Sequence, residues 1–429
     1  MERTLVGELG SRSGRTVRLC GWADAIGKDD DGAPVLALRD HTGLVDVVGG
    51  DGALAADIGA VATESAVEVI GTVAERRDGP AYVVVHQLRV VGAAQGPLPL
   101  ESDAPLEQRL DWRYLDLRLP RNRLIFEVQT TAERAMRSWW SERGFLEIHS
   151  PKLRAMPNQS GRELFTVQYF DGTAYLAQSP QFYKQMAMAA GLERVFEIGP
   201  VFRANPLVTT RHDTEFTSVD VEVAWIESDQ DLMAMEEQWL QHVVAAVADA
   251  HGDEVERRFG RRIGVPSTPF PRVTMAEALE RLASLGHVPD RPPGDLDAEG
   301  ERRLGAQVAA EHGHELVFVT EYPEAVRPFY HMRLEEGSSL TRGFDLLWNG
   351  LEVTTGAQRE HRYERLVAQA QRNPARVEVI RTYLDFFRHG CPPHGGFGLG
   401  LTRMLACLLG LDDVRETTYL HRGPRRLTP

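Results

Sequence analysis

Cysteine is almost missing from this 429-residue chain: Cys20, Cys391 and Cys407 are the three present, far apart and without a CxxC pair. That spacing excludes a disulfide-stapled scaffold and a thiolate metal centre, and it fits reduced thiols in a cytosolic protein. Lysine is scarcer still for its class, since of 48 basic residues only Lys28, Lys152 and Lys184 are lysines. No GxxxxGK[ST] occurs, so a P-loop is not the means of holding a nucleotide. No apolar run reaches the ~18 residues of a membrane span, and the opening MERTLVGELGSRSG has no apolar core of a secretion signal. Nothing is therefore expected to enter a membrane. Internal repeats at solenoid periods are also missing. Positive charge is not in excess: the net charge is −14. A nucleic-acid contact would depend on a local basic patch on an acidic body.

What remains is ordinary globular composition, 42% hydrophobic and 26% charged, in a chain long enough for two domains. Residues 1–95 carry short β-branched runs: TVRLCGWADAIG, PVLALRD, LVDVVGG, SAVEVIGTVAE and YVVVHQLRVVG. Gly/Asp-rich turns separate them, which predicts a small closed barrel of five strands, with an OB-fold as one candidate. Residues 96–115, rich in proline and without a period, read as a linker. From 116 to 429 helices and strands mix. TTAERAMRSWWSERGF, RRLGAQVAAEHG, RYERLVAQAQ and RVEVIRTYLDFFRHG have helical spacing. RVFEIGPVFR, FTSVDVEVAWI, ELVFVT and FDLLWNGLEV read as strands arriving in hairpin succession. The fold class is α+β, with a largely antiparallel sheet.

Several residues carry possible chemistry. GGFGLGL (395–401) precedes the helix LTRMLACLLG, and by itself a tight turn explains it as well as a nucleotide site does. Arg403 in that helix and Arg203 in GPVFRAN offer fixed positive charge, while TTRHD supplies an Arg-His loop. Such a set suits an adenylation reaction, where charge meets a pentavalent phosphorus and the leaving pyrophosphate. Any one of these arginines is otherwise a surface ion pair. Lys184, in AQSPQFYKQM, is a lysine kept in an arginine-writing chain; it reads as a compact partner for a small carboxylate or as a chance surface residue. Asp345 and Glu352 flank a turn at Asn349-Gly350 and either converge on a hard cation or stand as solvated strand charges.

These segments, in this order, resemble class II aminoacyl-tRNA synthetases of the aspartate subgroup, in the compact archaeal and eukaryotic-like form. GFLEIHSPKL is similar to the family's first motif, VFEIGPVFRANPLVTTRHDTEFTSVDVEVAWI to the second and GGFGLGLTRMLACLLGLDDVRETT to the third. The resemblance implies an amino-terminal OB-fold for the anticodon and a class II catalytic domain. It implies ATP and Mg²⁺ as cofactors, and L-aspartate or an acidic analogue and tRNA as substrates. It also implies a homodimer with Pro151 at the interface. Trp139 and Trp140, on the preceding helix, suit that interface or the core.

By the same resemblance Arg203 would bridge the α-phosphate and the substrate carboxylate. Arg211 and His212 would hold the outer phosphates, and Phe216 would stack adenine against Arg403. Asn205, Asp213, Gly400 and Thr402 would complete the ATP site. Glu352 would bind Mg²⁺ with Asp345 and Thr355 close by, Thr355 also facing the amino acid. Ser179, Gln181 and Asp220 would surround the substrate ammonium, and Lys184 and Arg359 would clamp its side-chain carboxylate. An asparagine amide there would oppose donors with donors.

The chain departs from the family pattern in places. The mobile lid reads NQSG rather than TEGG, so Gln159 replaces a carboxylate facing the ammonium, a loss of ~1.5–3 kcal/mol. Asn205 and Thr402 stand where the family has glutamates. In the barrel, Val35 occupies the position of a base-stacking aromatic and Gly27 that of an arginine. Asp29, Asp30 and Asp31 add repulsion toward a phosphate backbone, and LHRG replaces FPRD before the closing RRLTP. Three readings follow: a working synthetase, a specialised paralog passing its acyl-adenylate to another acceptor, and a non-catalytic regulator.

Overall fold

The computed structural model describes every residue except 30, 50, 51, 78, 97, 102, 156–163, 373–376, 378 and 379. The chain divides into two compact units, Met1–Pro105 and Leu106–Pro429.

In the first unit β1 (Thr16–Lys28), β2 (Pro34–Asp40), β3 (Gly43–Gly49), β4 (Ala66–Arg76) and β5 (Gly79–Gly92) close into a barrel in the order β1-β2-β3-β5-β4. All five predicted strands are present. Alternation drives the closure. Along β4, Val67, Val69 and Val73 turn inward while Glu68, Ile70 and Thr72 are only partly covered. Leu19, Leu36, Leu38, Val47 and Val83 fill the interior. Gly27 and Val35 face each other across the β1–β2 ladder. Asp29 is a turn residue: its Oδ1 accepts from the backbone N–H groups of Asp31 (3.1 Å) and Ala33 (2.8 Å).

The second unit has β6 (Leu146–Glu147), β7 (Leu153–Arg154), β8 (Thr166–Tyr169), β9 (Gly172–Leu176), β10 (Arg194–Phe202) and β11 (Glu215–Ala224). After these come β12 (Arg272–Thr274), β13 (Leu316–Thr320), β14 (Gly343–Trp348), β15 (Leu351–Arg359) and β16 (His394–Gly400). Eight of these strands form one sheet, ordered β12-β13-β14-β15-β16-β11-β10-β6. Its inner ladders are antiparallel, and a parallel pair closes each edge. A small sheet, β7-β9-β8, stands beside it in the chain.

Helices Pro120–Glu142 and Asp229–Phe259 cover the large sheet through apolar side chains at i, i+3 and i+4, among them Ala132, Ala135, Met136 and Trp140. Trp140 is fully buried against Trp239 and Phe397, and Trp139 is buried beside it. The two tryptophans are therefore core, and their spacing along the helix reports the sheet beneath rather than a partner. GGFGLGL is a strand and not a turn. A Cβ on Gly396 would lie 1.9 Å from the Val221 carbonyl oxygen and 2.5 Å from Glu222 Oε2, so only glycine lets these strands approach. Residues 106–111 and 113–116, which overlap the end of the span read as linker (96–115), are helical, and the Arg113–Asp116 ion pair (2.5 Å) is buried. In RVEVIRTYLDFFRHG, Arg381–Asp385 is helical. No helix among the described residues is long and apolar enough to cross a membrane.

Candidate active site

The sheet's open face carries a cavity of about 510 Å³. Strand parity builds one wall: Phe216, Ser218, Asp220 and Glu222 alternate along β11 and share a face. The opposite wall comes from β15. Glu352 and Thr355, three apart, would point to opposite faces of a regular strand. A bulge where β14 pairs β15, between Leu346 and Leu347, resets the alternation, and both residues line the cavity. The helix Gln181–Ala189 contributes Gln181 and Lys184, and the helix Leu401–Leu409 contributes Thr402 and Arg403.

One end is closed and highly charged. Lys184 Nζ lies 2.9 Å from Asp220 Oδ1 and 3.4 Å from Glu222 Oε2, and donates to the carbonyls of Val221 (3.1 Å) and Phe397 (3.0 Å). Arg359 donates from Nε to Glu222 Oε1 (3.0 Å) and from Nη2 to the Gly396 carbonyl (2.9 Å). All four charged residues are at most 4% exposed. Burial pushes the Glu222 carboxyl up, but Arg359 and Lys184 outweigh it and hold it below the usual carboxylate range. Ser218 donates to Asp220 Oδ2 (2.6 Å). Ser179 Oγ accepts from the Gln181 N–H (3.1 Å), and the Gln181 amide bonds Gln185, which is anchored by Tyr383 and His394 at 3.0 Å each.

The other end is half-open. The Arg203 guanidinium stands 5.2 Å from the Phe216 ring centroid. Arg403 donates to the Glu352 carbonyl (2.7 Å) and to the Arg211 carbonyl (3.3 Å). Arg211 pairs with Glu301, whose Oε2 also accepts the Glu352 N–H (3.1 Å). Burial, then the nearby Glu352, pushes the Glu301 carboxyl up to about 7 against the pull of Arg211. His212 bonds Thr209 (2.7 Å), and burial followed by Arg403, Arg211 and Arg203 lowers it to about 4. It is neutral at physiological pH. Asn205 Oδ1 accepts the Leu207 N–H (2.9 Å). Asp213 is buried and binds His421 Nδ1 (2.5 Å) and Thr418 (3.2 Å), so the histidine of LHRG serves as its partner. Gly400 and Thr402 complete the lining.

Among the described residues no group of three or more His, Cys, Asp or Glu could hold a metal ion. Glu352 does face the cavity, with Thr355 donating to its Oε1 (3.2 Å). Asp345 lies outside the lining, buried beside Tyr322 with Oδ2 held by Arg327 at 2.5 Å. One carboxylate and one hydroxyl thus face the cavity, a set that suits Mg²⁺ because that ion takes most of its ligands from phosphates and water.

The cavity thus gathers every site residue read from the sequence except Asp345, just noted, and Gln159, which lies outside the described residues. Sequence reasoning missed Glu222, Arg291, Glu301, Arg327 and His331. Glu222 was visible in principle, two residues beyond Asp220 on the same strand face. Arg291, Glu301 and Arg327 arrive from distant segments and had no local signal.

An antiparallel sheet with a cavity that is ion-paired at one end and arginine-lined at the other, in a chain that begins with a five-stranded barrel, has the architecture of a class II synthetase. Residues 105–422 match the family described as tRNA synthetases class II (D, K and N), and the chain belongs to it. It is 41% identical to an aspartate--tRNA(Asp/Asn) ligase of Aeropyrum pernix, over 97% of this chain and 96% of that protein. It is 38% identical to an aspartate--tRNA(Asp) ligase of Pyrococcus abyssi, over 97% of each. Among solved structures, asparaginyl-tRNA synthetase from Pyrococcus horikoshii, complexed with asparaginyl-adenylate, superposes with a TM-score of 0.92 at 32% identity, covering all of both chains. A putative aspartyl-tRNA synthetase from Leishmania major gives 0.88 at 28%, covering all of this chain and 95% of that one.

Proposed function

We propose that this chain activates L-aspartate with ATP and transfers it to tRNA. The observation that carries the choice of amino acid is the buried pair Lys184 and Arg359 at the closed end. A side-chain carboxylate accepts from both cations, whereas an asparagine amide would set its N–H groups against theirs. Asp220 takes the substrate ammonium with Ser179 and Gln181. The α-carboxylate then points toward Arg203 and attacks the α-phosphorus in line. A C–O–P mixed anhydride forms, and the bond to pyrophosphate breaks.

Phe216 and Arg403 sandwich adenine, Arg211 and neutral His212 hold the outer phosphates, and Asn205, Asp213, Gly400 and Thr402 shape the surrounding wall. Glu352, with Thr355, would hold Mg²⁺, which supplies charge neutralisation on the phosphates when bound, while Asp345 pairs with Arg327 outside the lining. In the second half-reaction a terminal ribose hydroxyl of tRNA attacks the carbonyl carbon and AMP leaves.

We also infer a two-fold dimer. Every residue of β8 is exposed, including Val167 and Tyr169, and Leu146, Leu153 and Phe170 expose large apolar surface. A monomeric mass in scattering at micromolar concentration would count against it.

One observation favours a second reading, transfer to a non-standard acceptor: the Gly27–Val35 pair presents neither an aromatic platform nor a cation where the family reads the anticodon. Pyrophosphate exchange across a panel of amino acids, followed by charging assays with tRNA(Asp) and tRNA(Asn), separates the readings. Aspartate-dependent exchange with tRNA(Asp) charging supports the first. Exchange without charging of either tRNA supports the second. No exchange with any amino acid defeats both.

A further inference from the structure

The helix Ala298–His312 lies outside the three motifs, yet its first turn reaches the phosphate end of the cavity. Its position is tightly set. Asp297 caps it by accepting from the Gly300 N–H (2.7 Å), and the same carboxylate bonds His287 (2.9 Å) and the Asp290 N–H (2.9 Å). One turn in, Glu301 is buried, and a single carboxylate oxygen, Oε2, accepts from both Arg211 and the Glu352 N–H. Arg403 closes the circuit by donating to the carbonyls of Arg211 and Glu352. Arg211 follows β10 in a segment without regular secondary structure, so nothing in its own backbone ladder fixes its guanidinium.

We propose that Glu301 is a positioning residue for ATP: it aims Arg211 at the outer phosphates and ties that aim to the strand bearing Glu352. The inference rests on the phosphate role given to Arg211 above. A guanidinium presents five N–H donors in a fixed plane. Glu301 engages one terminal nitrogen and leaves the remaining edge for phosphate oxygens, so orientation is gained without occupying the cation. Glu301 touches neither substrate; it acts through Arg211.

The test is aspartate-dependent pyrophosphate exchange with the full chain. Glu301→Ala should raise the KM for ATP about tenfold, the loss of one charge-assisted orienting bond, and leave the KM for aspartate within about twofold. Glu301→Gln, whose amide oxygen still accepts both bonds, should restore ATP use to within about threefold of wild type. In an Arg211→Ala background, Glu301→Ala should add less than about twofold. Glu301→Asp keeps the charge, withdraws the carboxylate by about one bond length, and should raise the ATP KM severalfold even where the alanine variant does not fold. An unchanged ATP KM in both the alanine and aspartate variants overturns the proposal. So does tighter ATP binding, an equal loss for both substrates that glutamine does not rescue, or full additivity with Arg211→Ala. If Arg211→Ala alone leaves the ATP KM unchanged, the phosphate role of Arg211 fails instead, a result separate from these.

Discussion

The two ends of the cavity solve the burial of charge in opposite ways. At the closed end Lys184, Asp220, Glu222 and Arg359 are almost fully removed from water and satisfy one another at 2.9–3.4 Å. At the open end Arg203 is exposed, while Arg211, Phe216 and Arg403 are half-covered. Charges inside a low-dielectric pocket cannot tolerate loss of a partner, whereas half-solvated ones let water compensate. The difference teaches where discrimination resides. On the proposed assignment, selection of the amino acid falls to a buried, mutually neutralised cluster. Nucleotide binding then falls to half-solvated side chains.

The largest effect should come from breaking the closed end. Lys184→Met removes one member of the cluster and should raise the aspartate KM by roughly 30- to several-thousand-fold, equivalent to ~2–5 kcal/mol, with the ATP KM nearly unchanged. Unchanged aspartate-dependent exchange in that variant would show the acidic substrate to be misassigned. Phe216→Ala attacks the open end, removing a stacking surface worth ~1–3 kcal/mol. The ATP KM should rise roughly 5- to 150-fold while aspartate binding measured by calorimetry holds.

A third test sharpens the contrast between paired and unpaired carboxyls. Glu236 lies fully buried in the helix Asp229–Phe259 beside the Thr354 hydroxyl, and burial pushes it from the ordinary 4.5 up to about 8. Between those values the folded chain binds a proton that the unfolded chain releases. Stability from this group is therefore full below about 4.5 and lost as pH rises through about 8. Glu236→Gln should remove that slope. Melting curves at pH 5 and pH 9 should show the variant gaining on wild type by on the order of 3–5 kcal/mol. Parallel pH profiles would mean that Glu236 is paired like Glu222. The smallest effect belongs to the barrel: Val35→Phe should tighten tRNA binding by about 1 kcal/mol and leave pyrophosphate exchange unaltered. A change in exchange would break the assignment of Val35 to the tRNA surface.

Much of this was readable beforehand because it is periodic. β-branched runs gave the five barrel strands, and FTSVDVEVAWI read as a strand, which in the structure carries Phe216, Ser218 and Asp220 on one face. Lys184 stood out by rarity, and the structure places it at the centre of the closed end. Three features escaped for physical reasons. Strand β16 was hidden because glycine has poor strand propensity, and only the crowding against Val221 and Glu222 explains its use. Trp139 and Trp140 carry the same pattern whether they meet a partner or their own sheet. Glu301 and Arg327 act across separations of 90 and 18 residues, on Arg211 and Asp345, which no local window spans.

The clearance left at Gly396 has a genetic corollary. The volume a methyl group would need there is already filled by the Val221 carbonyl oxygen, 1.9 Å from the site of any added carbon, and by the Glu222 carboxylate at 2.5 Å. Gly396→Ala would thus introduce no ionisable group and delete none, yet it would prise β16 from β11 and push aside the counter-ion of Lys184 and Arg359. A nominally silent change in charge would carry an electrostatic lesion with a steric one, so the permitted alphabet at this codon is set by a neighbour's carbonyl and its anion.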